Sequence, residues 1–258
     1  MGTAVTRLVA ASSDCTVTGA CAEPGHALLG EDVGLAAGVR RLDVPITDSA
    51  ARAVSQCDVA IDFTAPAAAA ANIEACLQGR CALVMGTTGL AAEHVALLER
   101  AGQHIAVVYG RNMSIGVLVF TELARLAARL LGADADVEIV EAHHRRKVDA
   151  PSGTALQLGE AVAEELGQRL EDLAVYDRFS SRAPRRQGSI GFSSVRAGSI
   201  VGDHDVMFAM DEEVIELRHR ALDRTTFARG ALRAARWVLG QPAAYYTMAD
   251  VLGLKPRR

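Results

Sequence analysis

Between Glu141 and Ala155 the chain reads EAHHRRKVDAPSGTA. That one stretch carries two adjacent imidazoles, His143 and His144, the cations Arg145, Arg146 and Lys147, the carboxylate of Asp149, and a Pro151-Ser152-Gly153-Thr154 turn. Imidazoles exchange protons near neutral pH, fixed cations hold anions, and the free amides of a helix start bind carboxylate or phosphate. These are the parts of a site for a small acidic molecule. Plainer readings stand beside each part: the histidines could be structural, Lys147 could pair with Asp149 on the surface, and Ser152 could be a helix N-cap. Gly153 favours the functional reading, because a residue without a side chain lets a ligand approach the backbone closely. A carboxylate held by the Gly153 and Thr154 amides together with a hydroxyl is the sharper expectation.

Such a stretch needs a strand to end at the histidines and a helix to begin at the turn. The pattern predicts a strand over 136–142 and a helix from Ser152 to about Leu166. Neighbouring strand residues point to opposite faces, so the strand itself aims only one of the two histidines inward. Before this region, short apolar runs alternate with helical ones, as in a parallel sheet with crossover helices. The strands are expected over 15–21, 58–63, 81–85 and 104–109, with helices over 65–77 and 91–101. Their ends run into Phe63-Thr64, Gly86-Thr87-Thr88 and Gly110-Arg111-Asn112. In open parallel sheets the carboxyl ends of the strands form the ligand crevice. After a long helix over 115–131, three β-rich runs near 189–196, 200–210 and 213–219 are joined by short turns, which predicts an antiparallel or mixed sheet. A closing helix spans about 225–239.

A chain of 258 residues is long enough for one large domain or two modest ones. Half of it is apolar with few aromatics, so an aliphatic core is expected, and the net charge of -4 gives no bulk attraction for nucleic acid. The basic end, Lys255-Pro256-Arg257-Arg258, reads as a solvated tail. Five scattered cysteines without a C-x-x-C pair suit reduced thiols better than a disulfide frame or a zinc site, and no metal is expected. No apolar run approaches a membrane span and the start lacks a signal-peptide pattern, so a soluble, cytoplasmic protein is expected.

The stretch EAHHRRKVDAPSGTA closely resembles the signature of the 4-hydroxy-tetrahydrodipicolinate reductases, also called dihydrodipicolinate reductases. IDFT at 61–64, MGTTG at 85–89, RNMSIGV at 111–117 and IGFSSVRAGSIVGDH at 190–204 resemble the family in the same order. The resemblance implies an α/β fold: a Rossmann-like nucleotide domain over 1–114 plus 224–258, and an inserted α+β substrate and tetramerisation domain, built on a mixed sheet, over 115–223. It implies NAD(P)H-dependent reduction of a dicarboxylate cyclic imine in diaminopimelate and lysine biosynthesis, by a homotetramer without nucleic-acid or membrane partners. His143 is then the acid/base histidine, with Lys147 the proton-donating, charge-stabilising lysine and His143 protonated for the task. His144, Ser152, Gly153 and Thr154 would hold the substrate. Gly86, Thr87, Thr88, Gly110, Arg111, Asn112 and Met113 would line the cofactor.

The departures are local. The family's first strand and glycine-rich loop have no counterpart, because Met1-Gly2 aligns with the last two residues of that loop and Thr3 to Ala11 reads as the first helix. A truncated or late start is one expectation from this, and a homologue that assembles but binds nucleotide poorly is the alternative. A related two-domain nicotinamide oxidoreductase is a third reading. At the end of the second strand Glu23 stands where the family often has arginine, which opposes a ribose phosphate and favours NADH over NADPH.

Overall fold

A computed structural model describes residues 1–254, so the expected basic tail over 255–258 lies outside the described residues. The chain divides into two compact units, residues 1–115 with 225–258, and residues 116–224.

The first unit opens in helix α1 (Gly2–Ala10) and continues through β1 (Ala20–Cys21), α2 (Val33–Ala36), β2 (Ile46–Thr47) and α3 (Ala50–Val54). Then come β3 (Val59–Asp62), α4 (Pro66–Gly79), β4 (Ala82–Met85), α5 (Ala92–Ala101) and β5 (Ala106–Tyr109). Pro66 starts α4, where its missing N–H costs nothing and its fixed φ suits a helix. Arg80 ends it in a left-handed conformation, φ 50°. Ile73, Leu83, Met85, Leu98 and Val107 are fully buried where α4 and α5 cover the sheet.

In the second unit, α6 (Ile115–Leu131) leads to a short 3-10 turn and β6 (Asp136–His143), followed by α7 (Gly153–Glu165), α8 (Leu170–Leu173), β7 (Ala174–Val175), β8 (Ile190–Arg196), β9 (Gly202–Ala209) and β10 (Val214–Ala221). The sheet order is β10-β9-β6-β8-β7; β6 runs parallel to β8 and antiparallel to β9, which makes the sheet mixed. Burial alternates residue by residue along β6, with Val137, Ile139, Glu141 and His143 inward. The period-2 geometry of a strand therefore puts a carboxylate and an imidazole in line with two core aliphatics. Phe120, Leu158, Ile190, Val206 and Phe208 complete that core.

The chain then returns to the first unit as α9 (Thr225–Val238), β11 (Ala244–Thr247) and α10 (Met248–Val251). β11 pairs in parallel with β5, giving a four-stranded parallel sheet of order β11-β5-β4-β3; β1 and β2 form a separate parallel pair.

Two sequence expectations change here. The strand expected over 15–21 is confined to Ala20–Cys21, because only those residues have a strand neighbour, β2. A cavity of about 450 Å³ lies on its other side, walled by Thr6 and Val9 of α1, by residues 16–22 and by residues 59–64. Within the four-stranded sheet β3 pairs only with β4. The second change is β11, a short parallel strand that the sequence reading did not anticipate. No described helix is long and apolar enough to cross a membrane.

Candidate functional site

His143 is the last residue of β6 and turns inward, while His144 lies just past the strand, half-buried. The strand thus selects between the two imidazoles as alternation requires. Glu141 shares the inward face two residues earlier, and its Oε2 lies 2.6 Å from His143 Nδ1. A carboxylate can only accept, so Nδ1 carries the proton and Nε2 is left as the reactive nitrogen. An ideal Cβ placed on Gly202 of β9 would sit 3.1 Å from that Nε2, so the absence of a side chain there keeps the nitrogen clear.

Glu141 is 1 % exposed, and its charge is answered by Arg196 at the end of β8. Arg196 Nη1 donates to Oε2 at 2.8 Å and Nη2 to Oε1 at 2.7 Å, a two-pronged pair. Ser152 N also donates to Oε1, at 3.2 Å. Burial disfavours the Glu141 anion, but hydrogen bonds from Arg196, Ser194 and His143 outweigh it and hold the carboxyl down to about 2. Burial acts the other way on His143, pushing the imidazole below its ordinary 6.5; Glu141 opposes this and Lys147 and Arg196 reinforce it. Without ligand, burial thus favours the neutral form of the imidazole.

The other expected residues fall as follows. Lys147 reaches Asp149 Oδ1 at 2.8 Å, so the ion pair allowed for above exists, and hydrogen bonding to Lys147 is the leading cause of the lowered Asp149 carboxyl. Ser152 is buried and caps α7, its Oγ accepting from Ala155 N at 3.2 Å and lying 3.0 Å from His204 Nε2. Its hydroxyl therefore faces the protein interior, which corrects its expected place among groups facing the substrate. Gly153 and Thr154 open the first turn of α7, and a Cβ on Gly153 would meet nothing within 4 Å. Packing does not require glycine there; open space lies before its backbone. His144 Nε2 lies 3.4 Å from Arg224 Nη2, and since guanidinium only donates, that nitrogen accepts.

In the first unit the expected cofactor residues follow the carboxyl ends of β4 and β5, apart from Glu23, which follows β1. A Cβ on Gly86 would come within 2.4 Å of Phe63 Cε1, so only glycine passes. Thr87 is buried and donates to Asp62 Oδ1 at 2.8 Å, an atom that also accepts from Thr64 N and Thr64 Oγ1. Asn72 holds the second carboxylate oxygen at 2.8 Å. Asp62 thus pins the β3 and β4 loops together, leaving Thr88 exposed at the rim. Gly110 N bonds Met85 O at 3.1 Å, and a Cβ on Gly110 would sit 2.9 Å from Met248 Cγ. Asn112 Oδ1 accepts from Ser114 N, Met113 is buried, Arg111 is exposed, and Glu23 is exposed two residues beyond β1. A cradle of glycine backbone and small hydroxyls at parallel strand ends fits a nucleotide cofactor.

Sequence reasoning did not assign roles to Glu141, Arg196, His204, Asp62 or Arg224. Glu141 was within reach through its i, i+2 spacing from His143. Arg196 and His204 become neighbours only through the sheet register, His143 opposite Arg196 and Glu141 opposite His204.

A Rossmann-like unit and a mixed-sheet unit carrying a buried histidine–carboxylate–arginine cluster place the chain in a two-unit α/β class. Residues 1–113 match the family model described as dihydrodipicolinate reductase, N-terminus, and residues 116–252 that described as its C-terminus. The chain belongs to the dihydrodipicolinate reductase family. A 4-hydroxy-tetrahydrodipicolinate reductase from Ruegeria pomeroyi is 48% identical over 254 residues, covering 98% of this chain and 94% of that one. One from Methylococcus capsulatus is 45% identical over 255 residues, covering 99% and 95%. A dipicolinate-bound dihydrodipicolinate reductase structure from Paenisporosarcina sp. TG-14 superposes with a TM-score of 0.72 at 23% identity, covering 96% of this chain and 93% of the other.

Proposed function

We propose that the protein reduces 4-hydroxy-tetrahydrodipicolinate, a dicarboxylate cyclic imine, to tetrahydrodipicolinate with NADH or NADPH, the hydroxyl group leaving as water before the ring accepts hydride and a proton. The observation that carries the reading is His143: its Nδ1 is engaged by a buried carboxylate, and its Nε2 is kept clear by Gly202, beside cations and the start of α7. A bound reduced nicotinamide supplies the hydride. The chain's own residues do the rest. His143 Nε2 holds and delivers the proton at the carbon where negative character develops, and Lys147 stabilises that charge after exchanging Asp149 for substrate. His144 and the Gly153 and Thr154 backbone hold carboxylate, Thr154 in the first turn where the helix dipole favours an anion. A dianionic substrate raises the affinity of His143 for its proton, which reverses the resting preference for neutral imidazole.

Glu23 supports NADH over NADPH, because a carboxylate beyond β1 repels a ribose phosphate. Apolar side chains left exposed on the second unit, Val195, Val214 and Ile215 on its sheet and Leu123 and Leu130 on α6, support assembly into a homotetramer. The cavity beside β3 favours a second reading, in which the chain folds and assembles but holds nucleotide weakly.

Two measurements test these readings. Titration of NADH against the chain is expected to show binding typical of a dehydrogenase; no binding at millimolar nucleotide favours the second reading. Consumption of NADH with the product of aspartate semialdehyde and pyruvate condensation is expected, and nucleotide binding without turnover of that substrate overturns the reductase assignment.

A further inference from the structure

We infer that Glu141 is a positioning residue that fixes the protonation pattern of His143, and that Arg196 fixes Glu141 in turn. The inference rests on the proposed role of His143, but it concerns residues to which that reading gives no task. Its basis is the directionality of the three contacts. Arg196 presents two N–H groups to the two oxygens of Glu141, at 2.8 and 2.7 Å. A guanidinium cannot accept, so both oxygens must remain acceptors. Oε2, already receiving Arg196, lies 2.6 Å from His143 Nδ1 and can only receive from it as well. The proton is thereby confined to Nδ1, and the lone pair to Nε2 beside Gly202.

The polar groups packed around the ring are engaged elsewhere. From β9, His204 meets the His143 ring edge to face, with centroids 5.1 Å apart, and its Nε2 is turned to Ser152 Oγ. From the loop, Ser152 N is spent on Glu141 Oε1, and Lys147 on Asp149. From β8, Arg196 spends Nη2 on Asp149 O as well as on Glu141. The charged and titratable groups around the imidazole are thus Glu141, Arg196, His204, Lys147 and Asp149, and of these Glu141 is the one at hydrogen-bond distance from Nδ1.

Sheet geometry explains why three strands are needed. Residues 141 and 143 share a face of β6, position 196 lies opposite 143 on the parallel neighbour, and position 204 lies opposite 141 on the antiparallel neighbour. A carboxylate buried this deeply without a cation would take up a proton, and a protonated carboxyl could offer its own O–H to Nδ1. Arg196 removes that option.

The test is Glu141→Gln in the full chain. Gln keeps the shape but has one acceptor oxygen. Arg196 claims that oxygen, so the amide NH₂ faces His143 and drives the ring to the Nε2–H tautomer. Nitrogen-15 NMR of histidine-labelled protein, without substrate, reads the tautomer directly. The expected result is Nδ1–H in the parent and Nε2–H in the variant, with a lower imidazole pKa because an anion has been removed. In the reductase assay kcat should fall at least about tenfold with KM within about twofold, and the alkaline limb of the kcat profile, where His143 loses the proton it delivers, should move to lower pH. Arg196→Lys, which keeps the charge and N–H donors but loses the planar two-pronged fork, should retain Nδ1–H and most of the turnover. An unchanged tautomer and imidazole pKa in Glu141→Gln overturn the inference and leave the reductase reading standing. Full turnover in His143→Ala, with the tautomer shifts as expected in Glu141→Gln, would instead remove the proposed proton-delivering role of His143 and keep the positioning relationship.

Discussion

Thr87, on the loop after β4, and Asp62, the last residue of the adjacent parallel strand β3, are joined by a buried 2.8 Å hydrogen bond from the threonine hydroxyl to Oδ1. The backbone is tied at the same place, Gly86 N donating to Asp62 O at 2.8 Å. The loop that would face a nucleotide is therefore anchored from beneath by a residue that need not touch it. Thr87→Val keeps the shape and removes the donor. It should cost about 1–2 kcal/mol in urea unfolding and weaken NADH binding in a titration, with the histidine site unaltered.

Gly86→Ala should destabilise the protein by about 1–3 kcal/mol, because the added methyl meets the Phe63 ring at 2.4 Å. Adding Phe63→Leu opens the space, so the double variant should regain part of the loss in thermal unfolding. Equal losses in single and double variants would show that backbone freedom, not the ring, sets the requirement.

His204 makes stability depend on mild acid. Burial first, then the neighbouring His143, holds its imidazole down to about 4 from 6.5. Above pH 6.5 the folded and unfolded forms are both neutral there. As pH falls from 6.5 to 4 the unfolded chain gains a proton that the folded chain refuses, so stability declines by about 3 kcal/mol across that window. His204→Gln should abolish this component, and denaturant midpoints at pH 7 and pH 4.5 would differ less than in the parent.

His143→Ala and Lys147→Ala should each lower kcat by about a hundredfold or more, the usual scale for loss of a general acid. Steady-state assays with saturating NADH check this; near-normal turnover in both would count against the proposed chemistry.

Glu23→Arg should move the cofactor preference towards NADPH by about tenfold in kcat/KM, through one repulsion removed and one attraction added. Parallel assays with the two nucleotides measure it.

Much of the proposed substrate site is legible because it is contiguous. One strand end, one turn and one helix start supply His143, His144, Lys147, Gly153 and Thr154 without any long-range pairing. What supports them is not legible that way. Arg196 and His204 lie far along the chain and become partners of Glu141 only once β8 and β9 take their register on β6. Ser152 reads as a ligand group from its type, yet a hydroxyl at an N-cap is already spoken for by the helix, and here also faces His204. In the first unit, residues 15–19 carry strand-like composition without a hydrogen-bonding neighbour, whereas the four residues of β11 become a strand only because β5 offers its edge. Strand character in these short runs is decided by the partner rather than by the residues themselves.

β6 is paired along both edges, parallel on one side and antiparallel on the other. A shift of one residue would turn Glu141 and His143 together onto the opposite face. The strand has no intermediate register in which the Glu141–His143 pair is merely loosened, so a slip of β6 removes the pair as a whole. On heating, loss of activity should coincide with loss of the whole second unit, and the amides of residues 137–143 should be among its slowest to exchange.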